Sequence, residues 1–124
     1  MEFRDNKAIY LQIAEYVCEH ILLGKWKVDE KVPSVRELAV DLEVNPNTVM
    51  RTYELLQNKS IINNKRGIGF FVAEEALANV KSYRKAQFMD AELPVVFRNI
   101  YLLNIGFDEL ENRYKTFVKE TFNT

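Results

Sequence analysis

Asn45, Asn47, Thr48 and Arg51 stand close together in the chain, and the cationic tripeptide Lys65-Arg66-Gly67 follows a short way on. An asparagine amide can pair in bidentate fashion with adenine, an arginine fork with guanine or phosphate, and a threonine with phosphate or the thymine methyl. Two cations beside a glycine suit the narrow, negative minor groove, because a residue without a side chain lets the backbone come close. Ser34 and Arg36 stand at the start of an expected helix, where unpaired N–H groups and the helix dipole favour a phosphate. This is chemistry for holding a polyanion, not for making bonds. The chain offers no carboxylate pair in a defined context, no nucleophile with its base and no phosphate-binding glycine loop, so no enzyme is expected. With one histidine, His20, and one cysteine, Cys18, neither a metal site nor a cofactor is expected, and Cys18 reads as a small buried hydrophobe.

Elements must then be found to carry these groups. Over residues 7–23 the apolar positions Ile9, Ile13, Tyr16, Val17 and Ile21 recur at helical spacing, with Gly24 as a C-terminal cap. Trp26 and Val28 are expected to pin the polar loop that follows. Ser34 and Glu37 form an S-x-x-E capping box ahead of the apolar face Val35, Leu38, Ala39 and Leu42. Asn45-Pro46 caps a third helix with Val49, Tyr53 and Leu56 inward, which leaves Asn47, Thr48 and Arg51 outward. Only Glu43-Val44 separates the second and third helices, so the turn between them is sharp. Ile61-Ile62 and Phe70-Phe71-Val72 bracket a glycine-containing segment and predict a hairpin tipped by Lys65-Arg66-Gly67.

That order predicts a mostly α fold with a small β-hairpin, a winged helix-turn-helix over residues 1–73. Three helical stretches follow near residues 74–88, 95–104 and 108–122, punctuated by Pro94 and Gly106. Residues 74–124 hold more than half of the chain's aromatic residues, and residues 95–103 are apolar nearly all round. A helix of that kind needs cover on more than one side, and some fifty residues offer too little material to supply it. Residues 74–124 are therefore expected to be a helical dimerisation segment with an isologous two-fold interface.

The formal net charge of the 124-residue chain is −1, which does not advertise a nucleic-acid binder. Local counting softens this: over residues 45–70 Arg51, Lys59, Lys65 and Arg66 face Glu54 alone. Near-neutral charge keeps a second reading in view, a winged-helix module that binds protein through the same surface. No apolar run is long enough to span a membrane, and the N-terminal MEFRDNK lacks the apolar stretch of a signal peptide, so a cytoplasmic location is expected.

IYLQIAEYV, PSVRELA, NPNTVMRTYELL and RGIGFFV together resemble the GntR-type bacterial transcription regulators, specifically the small YtrA subfamily, over essentially the whole chain. The resemblance implies a dimeric repressor that binds a palindromic double-stranded DNA operator, commonly beside ABC-transporter genes. It implies operator contacts from the residues matching Ser34, Arg36, Asn45, Asn47, Thr48 and Arg51, with Arg66 and Gly67 at the wing; Lys65 joins them on charge. A small-molecule effector would find a place between head and tail or at the dimer seam, but no residue identifies one. Larger relatives carry a ligand-binding or aminotransferase-like domain, for which there is no chain here. Three departures stand out: Ala8 replaces a usual proline, Glu43 stands where glycine is common in the turn, and the wing has Ile68 and Phe70 where lysine and threonine are frequent.

Overall fold

Helix α1 (Ile9–Leu22) buries Ile13, Ala14, Val17, Cys18 and Ile21 along one stripe and ends where Gly24 adopts a φ of +75°. The structure, a computed structural model, describes Phe3 and residues 7–123; most of the MEFRDNK stretch lies outside them. Ile9 was expected inward but is 45% exposed, because it occupies the first turn at the open rim of the helix. The buried Gln12 side chain donates to the Lys7 carbonyl at 2.8 Å, which satisfies the one amide the stripe carries. After the helix, the Trp26 ring lies 4.9 Å from His20, and His20 lies 4.2 Å from Tyr16. Trp26 thus pins the loop as expected. Val28 does not, being 43% exposed.

Helix α2 (Val35–Leu42) begins on the expected capping box: the Ser34 hydroxyl accepts from the Glu37 N–H at 3.1 Å, and the Ser34 N–H donates to Glu37 Oε1 at 3.0 Å. Leu38, Ala39 and Leu42 are buried, with Val35 partly so. The helix stops at Glu43, which adopts the left-handed conformation (φ 57°, ψ 48°) that lets the chain reverse within two residues. Helix α3 (Pro46–Asn58) then starts with Asn45 Oδ1 accepting from the Asn47 N–H at 2.8 Å and Pro46 in the first turn. Its core face is Val49, Thr52, Tyr53 and Leu56. Thr52 is the surprise on that face. Though polar, it is fully buried and donates its hydroxyl to the Tyr10 carbonyl at 2.7 Å, tying α3 to the first turn of α1.

Strands β1 (Ile62–Lys65) and β2 (Gly69–Val72) pair antiparallel, with Ile62 opposite Val72 and Lys65 opposite Gly69. The Ile68 N–H donates to the Lys65 carbonyl at 2.8 Å, closing a four-residue turn in which Gly67 takes a φ of +80°. Gly67 holds the third position of this turn, where the positive φ favours glycine. On its other edge β2 meets residues 29–32: Val32 donates to Phe70, Val72 donates to Glu30, and Lys31 bridges Phe71. The wing therefore has a short third member that the sequence did not disclose.

Helix α4 (Ala76–Gln87) buries Ala76 and Val80 in the same core, and Arg84 reaches Glu15 of α1 at 3.2 Å, where Lys7 also pairs. The chain divides into two compact units, residues 1–86 and 87–124. Taken by itself, the second unit comprises a π-helical turn (Phe88–Glu92), α5 (Leu93–Leu102) and α6 (Phe107–Thr121). Pro94 sits in the first turn of α5, where its missing N–H is harmless. None of its described residues is buried in this single copy. The first unit is a winged helix-turn-helix, and the whole is mostly helical with one hairpin.

Candidate nucleic-acid interface

The core residues of α3 decide which of its side chains point outward. Val49 and Tyr53 are fully buried, and the Tyr53 hydroxyl donates to the Pro33 carbonyl at 2.6 Å while its ring meets Phe70 edge-on at 5.0 Å. One tyrosine thus ties α3 to the lead-in of α2 and to the base of the wing. Burial holds its phenol well above the ordinary range, so it stays a neutral donor. With that face fixed, Asn47 and Arg51 are exposed and Thr48 is half-buried, and the three line one shallow depression of about 350 Å³ together with Ala8, Ile9 and Tyr10. The guanidinium carbon of Arg51 lies 3.8 Å from the centre of the Tyr10 ring.

Arg36 is exposed on α2 and lines a different depression, with Ala39, Val40, Val44 and Pro46, along the seam between α2 and α3. Ser34 and Asn45 are placed at the two helix starts, but the oxygen of each is already engaged in capping its own helix. The start of α2 is also less open to an anion than its sequence suggested. The Glu37 carboxylate caps it, and the hydrogen bonds from Ser34 hold that carboxyl below its usual range, so a negative charge sits there already. At the wing, Lys65, Arg66 and Gly67 are exposed, with Lys65 Nζ 4.3 Å from the Phe71 ring centre. Neither Lys65 nor Arg66 pairs with a carboxylate among the described residues.

Two further residues belong to this surface. Met50, 39% exposed, stands three residues after Asn47 on the same outward face, a position that helical spacing alone would have found. Tyr10 lies far from α3 in sequence and carried no such signal. Among the described residues no group of His, Cys, Asp and Glu could hold a metal, and no helix is long and apolar enough to cross a membrane.

This geometry has close parallels among known proteins. The sequence profile of the bacterial regulatory proteins of the gntR family matches residues 9–72. The HTH-type transcriptional repressor YtrA of Bacillus subtilis is 42% identical over 73 residues. That match covers 59% of this chain and 56% of YtrA. A second regulator from the same organism is matched over 62% of its length, so the chain spans less than two thirds of either curated relative. A crystal structure of a transcriptional regulator of the GntR family from Bacteroides thetaiotaomicron is 50% identical. It superposes with a TM-score of 0.71 over 91% of this chain and 98% of that one. The DNA-binding domain of AraR, solved in complex with operator ORR3, is 29% identical with a TM-score of 0.53 over 59% of this chain and 86% of that one. These relatives are transcription regulators rather than enzymes, and the chain itself belongs to the GntR family of bacterial regulatory proteins, with their winged helix-turn-helix.

Proposed function

We propose that the chain is a sequence-specific DNA-binding transcription regulator, a repressor that acts as a homodimer on a palindromic operator. The observation that carries the reading is the outward face of α3. Asn47, Thr48 and Arg51 share one depression on a helix whose opposite side is locked by Val49, Thr52, Tyr53 and Leu56. In a helix-turn-helix the second helix enters the major groove and presents its first turns to base edges. Asn47 and Thr48 are suited to that place. Arg36 and the wing cations Lys65 and Arg66, with Gly67 at the tip, extend the surface towards phosphates on either side, while Ser34 and Asn45 cap the starts of the two helices that meet the duplex.

Residues 1–73 form the DNA-binding domain in this reading, and residues 74–124 the helical dimerisation segment, whose α4 packs into the first unit's core and whose later helices carry the uncovered surface. The support for the latter is apolar surface without cover: Tyr101 is 84% exposed, and Phe97, Leu103, Phe107 and Phe117 are exposed with it. A two-fold pairing of these segments would set two recognition helices about one helical turn, roughly 34–36 Å, apart on one face of the duplex. An ABC-transporter operon is the proposed target, and the cytoplasm the proposed location. A footprint on DNA from upstream of the protein's own operon tests the reading. Protection of a palindrome is expected, and failure to protect one at low salt would count decisively against it. Charge reversal at Arg36 and Arg66 separates a DNA reader from a protein-binding winged helix, since only the former loses affinity and salt dependence together.

A further inference from the structure

Arg51 is held in place rather than left to solvent. Its guanidinium lies over the Tyr10 ring, with 3.8 Å from carbon to ring centre, and it forms no ion pair with a described residue. The neighbouring Thr52 is fully buried and bonds the Tyr10 carbonyl at 2.7 Å, so the backbone that carries the ring is tied to the helix that carries the cation. These are two independent contacts, one through the ring and one through the main chain, between the same turn of α1 and the same turn of α3.

Stacking has a chemical consequence that a salt bridge would not have. The guanidinium donors lie in the plane of the fork, so an aromatic face can hold the group without engaging them, whereas a carboxylate would consume two. The fork is also drawn sideways, towards α1, into the depression lined by Ala8, Ile9 and Tyr10 beside Asn47 and Thr48. In a recognition helix the first turns face base edges, while groups at the flank meet the sugar-phosphate wall. We propose that Tyr10 is a positioning residue that holds Arg51 against a backbone phosphate at the edge of the major groove, so that Arg51 contributes affinity and register rather than base discrimination. The proposal rests on the DNA-reading function above.

The test is a double-mutant cycle read by fluorescence anisotropy over a range of salt concentrations. The probes are a duplex from upstream of the protein's own operon and a duplex of random sequence. Tyr10→Leu should weaken both about two- to fivefold, the range expected for an exposed cation–π contact. Tyr10→Phe, which keeps the ring, should restore binding. Arg51→Ala should weaken both duplexes alike and reduce the salt slope by about 1, as for one phosphate contact. Tyr10→Leu should add nothing further in the Arg51→Ala background. An equal loss from Tyr10→Leu in both backgrounds would overturn the positioning role. A loss from Arg51→Ala confined to particular base pairs, with the salt slope unchanged, would overturn the phosphate assignment, and this arm decides even if Tyr10→Leu does not fold. Failure of the unaltered protein to retain either duplex would instead remove the DNA reading itself, and the proposal with it.

Discussion

The Tyr53 hydroxyl donates to the carbonyl of Pro33 at 2.6 Å from within the core. This bond joins the middle of α3 to the segment that leads into α2, and so fixes the angle at which the two helices leave their tight turn. Tyr53→Phe keeps the ring against Phe70 but leaves the Pro33 carbonyl without that donor. A loss of about 1–2 kcal/mol is expected, measured by urea unfolding with an unchanged m-value.

Glu43 adopts a φ of 57° at the end of α2, a conformation unfavourable to any residue with a Cβ. Glu43→Gly removes that strain, on the order of 1–2 kcal/mol, and gives back part of it through the greater freedom of glycine in the unfolded chain. The net expectation is a stabilisation of about 1 kcal/mol, seen as a higher midpoint in thermal or denaturant unfolding. A destabilised variant would show that the Glu43 side chain has an unrecognised role.

The capping box makes stability sensitive to acid. The backbone and hydroxyl bonds from Ser34 hold the Glu37 carboxyl below its ordinary value in the folded chain. A group depressed on folding contributes stability that is complete above its unfolded pKa and is lost as pH falls through the folded one. Ser34→Ala should therefore lower stability at neutral pH by about 1 kcal/mol and flatten part of the decline on the acid side, since the backbone N–H of residue 34 still donates to Glu37. Unfolding free energies measured from pH 7 down to pH 3 would show whether the two curves converge.

Cys18 is fully buried in α1, and burial pushes its thiol up to about 12, with Arg84 opposing and Glu15 adding to the shift. The thiolate is the reactive form, so the folded protein should resist alkylation by iodoacetamide at pH 8. Labelling should become rapid only in denaturant. Fast labelling of the folded chain, followed by mass spectrometry, would contradict the burial described here.

Much of the head was legible because its signals are short-ranged. Ser34 with Glu37, and Asn45 with Pro46, announce helix starts through contacts within three residues, and both appear as expected. Thr52 was not legible, since a threonine within a helix gives no sign that its hydroxyl will meet a carbonyl 42 residues away. The first wing strand was also obscure. Ile62–Lys65 carries two asparagines and a lysine, poor strand formers taken alone, and is held extended by its ladder to β2. At the candidate site the outward placement of Asn47 and Arg51 followed from helical period, whereas the Tyr10 stack depended on tertiary approach. The double use of Ser34 and Asn45 as caps could be read in the sequence; that capping occupies the same oxygens offered to a ligand became plain only with the hydrogen bonds in view.

Strand β2 is flanked on both sides, by β1 and by the short run that includes Lys31. The wing's inner ribbon consequently has no open flank on which another extended chain could be templated. The flank that does remain, along β1, spans four residues and displays Asn63, Asn64 and Lys65 to water, a composition that discourages strand-to-strand sticking. Such a blunt hairpin keeps the cationic tip at Lys65 and Arg66 open to solvent while offering its own kind little edge on which to pair.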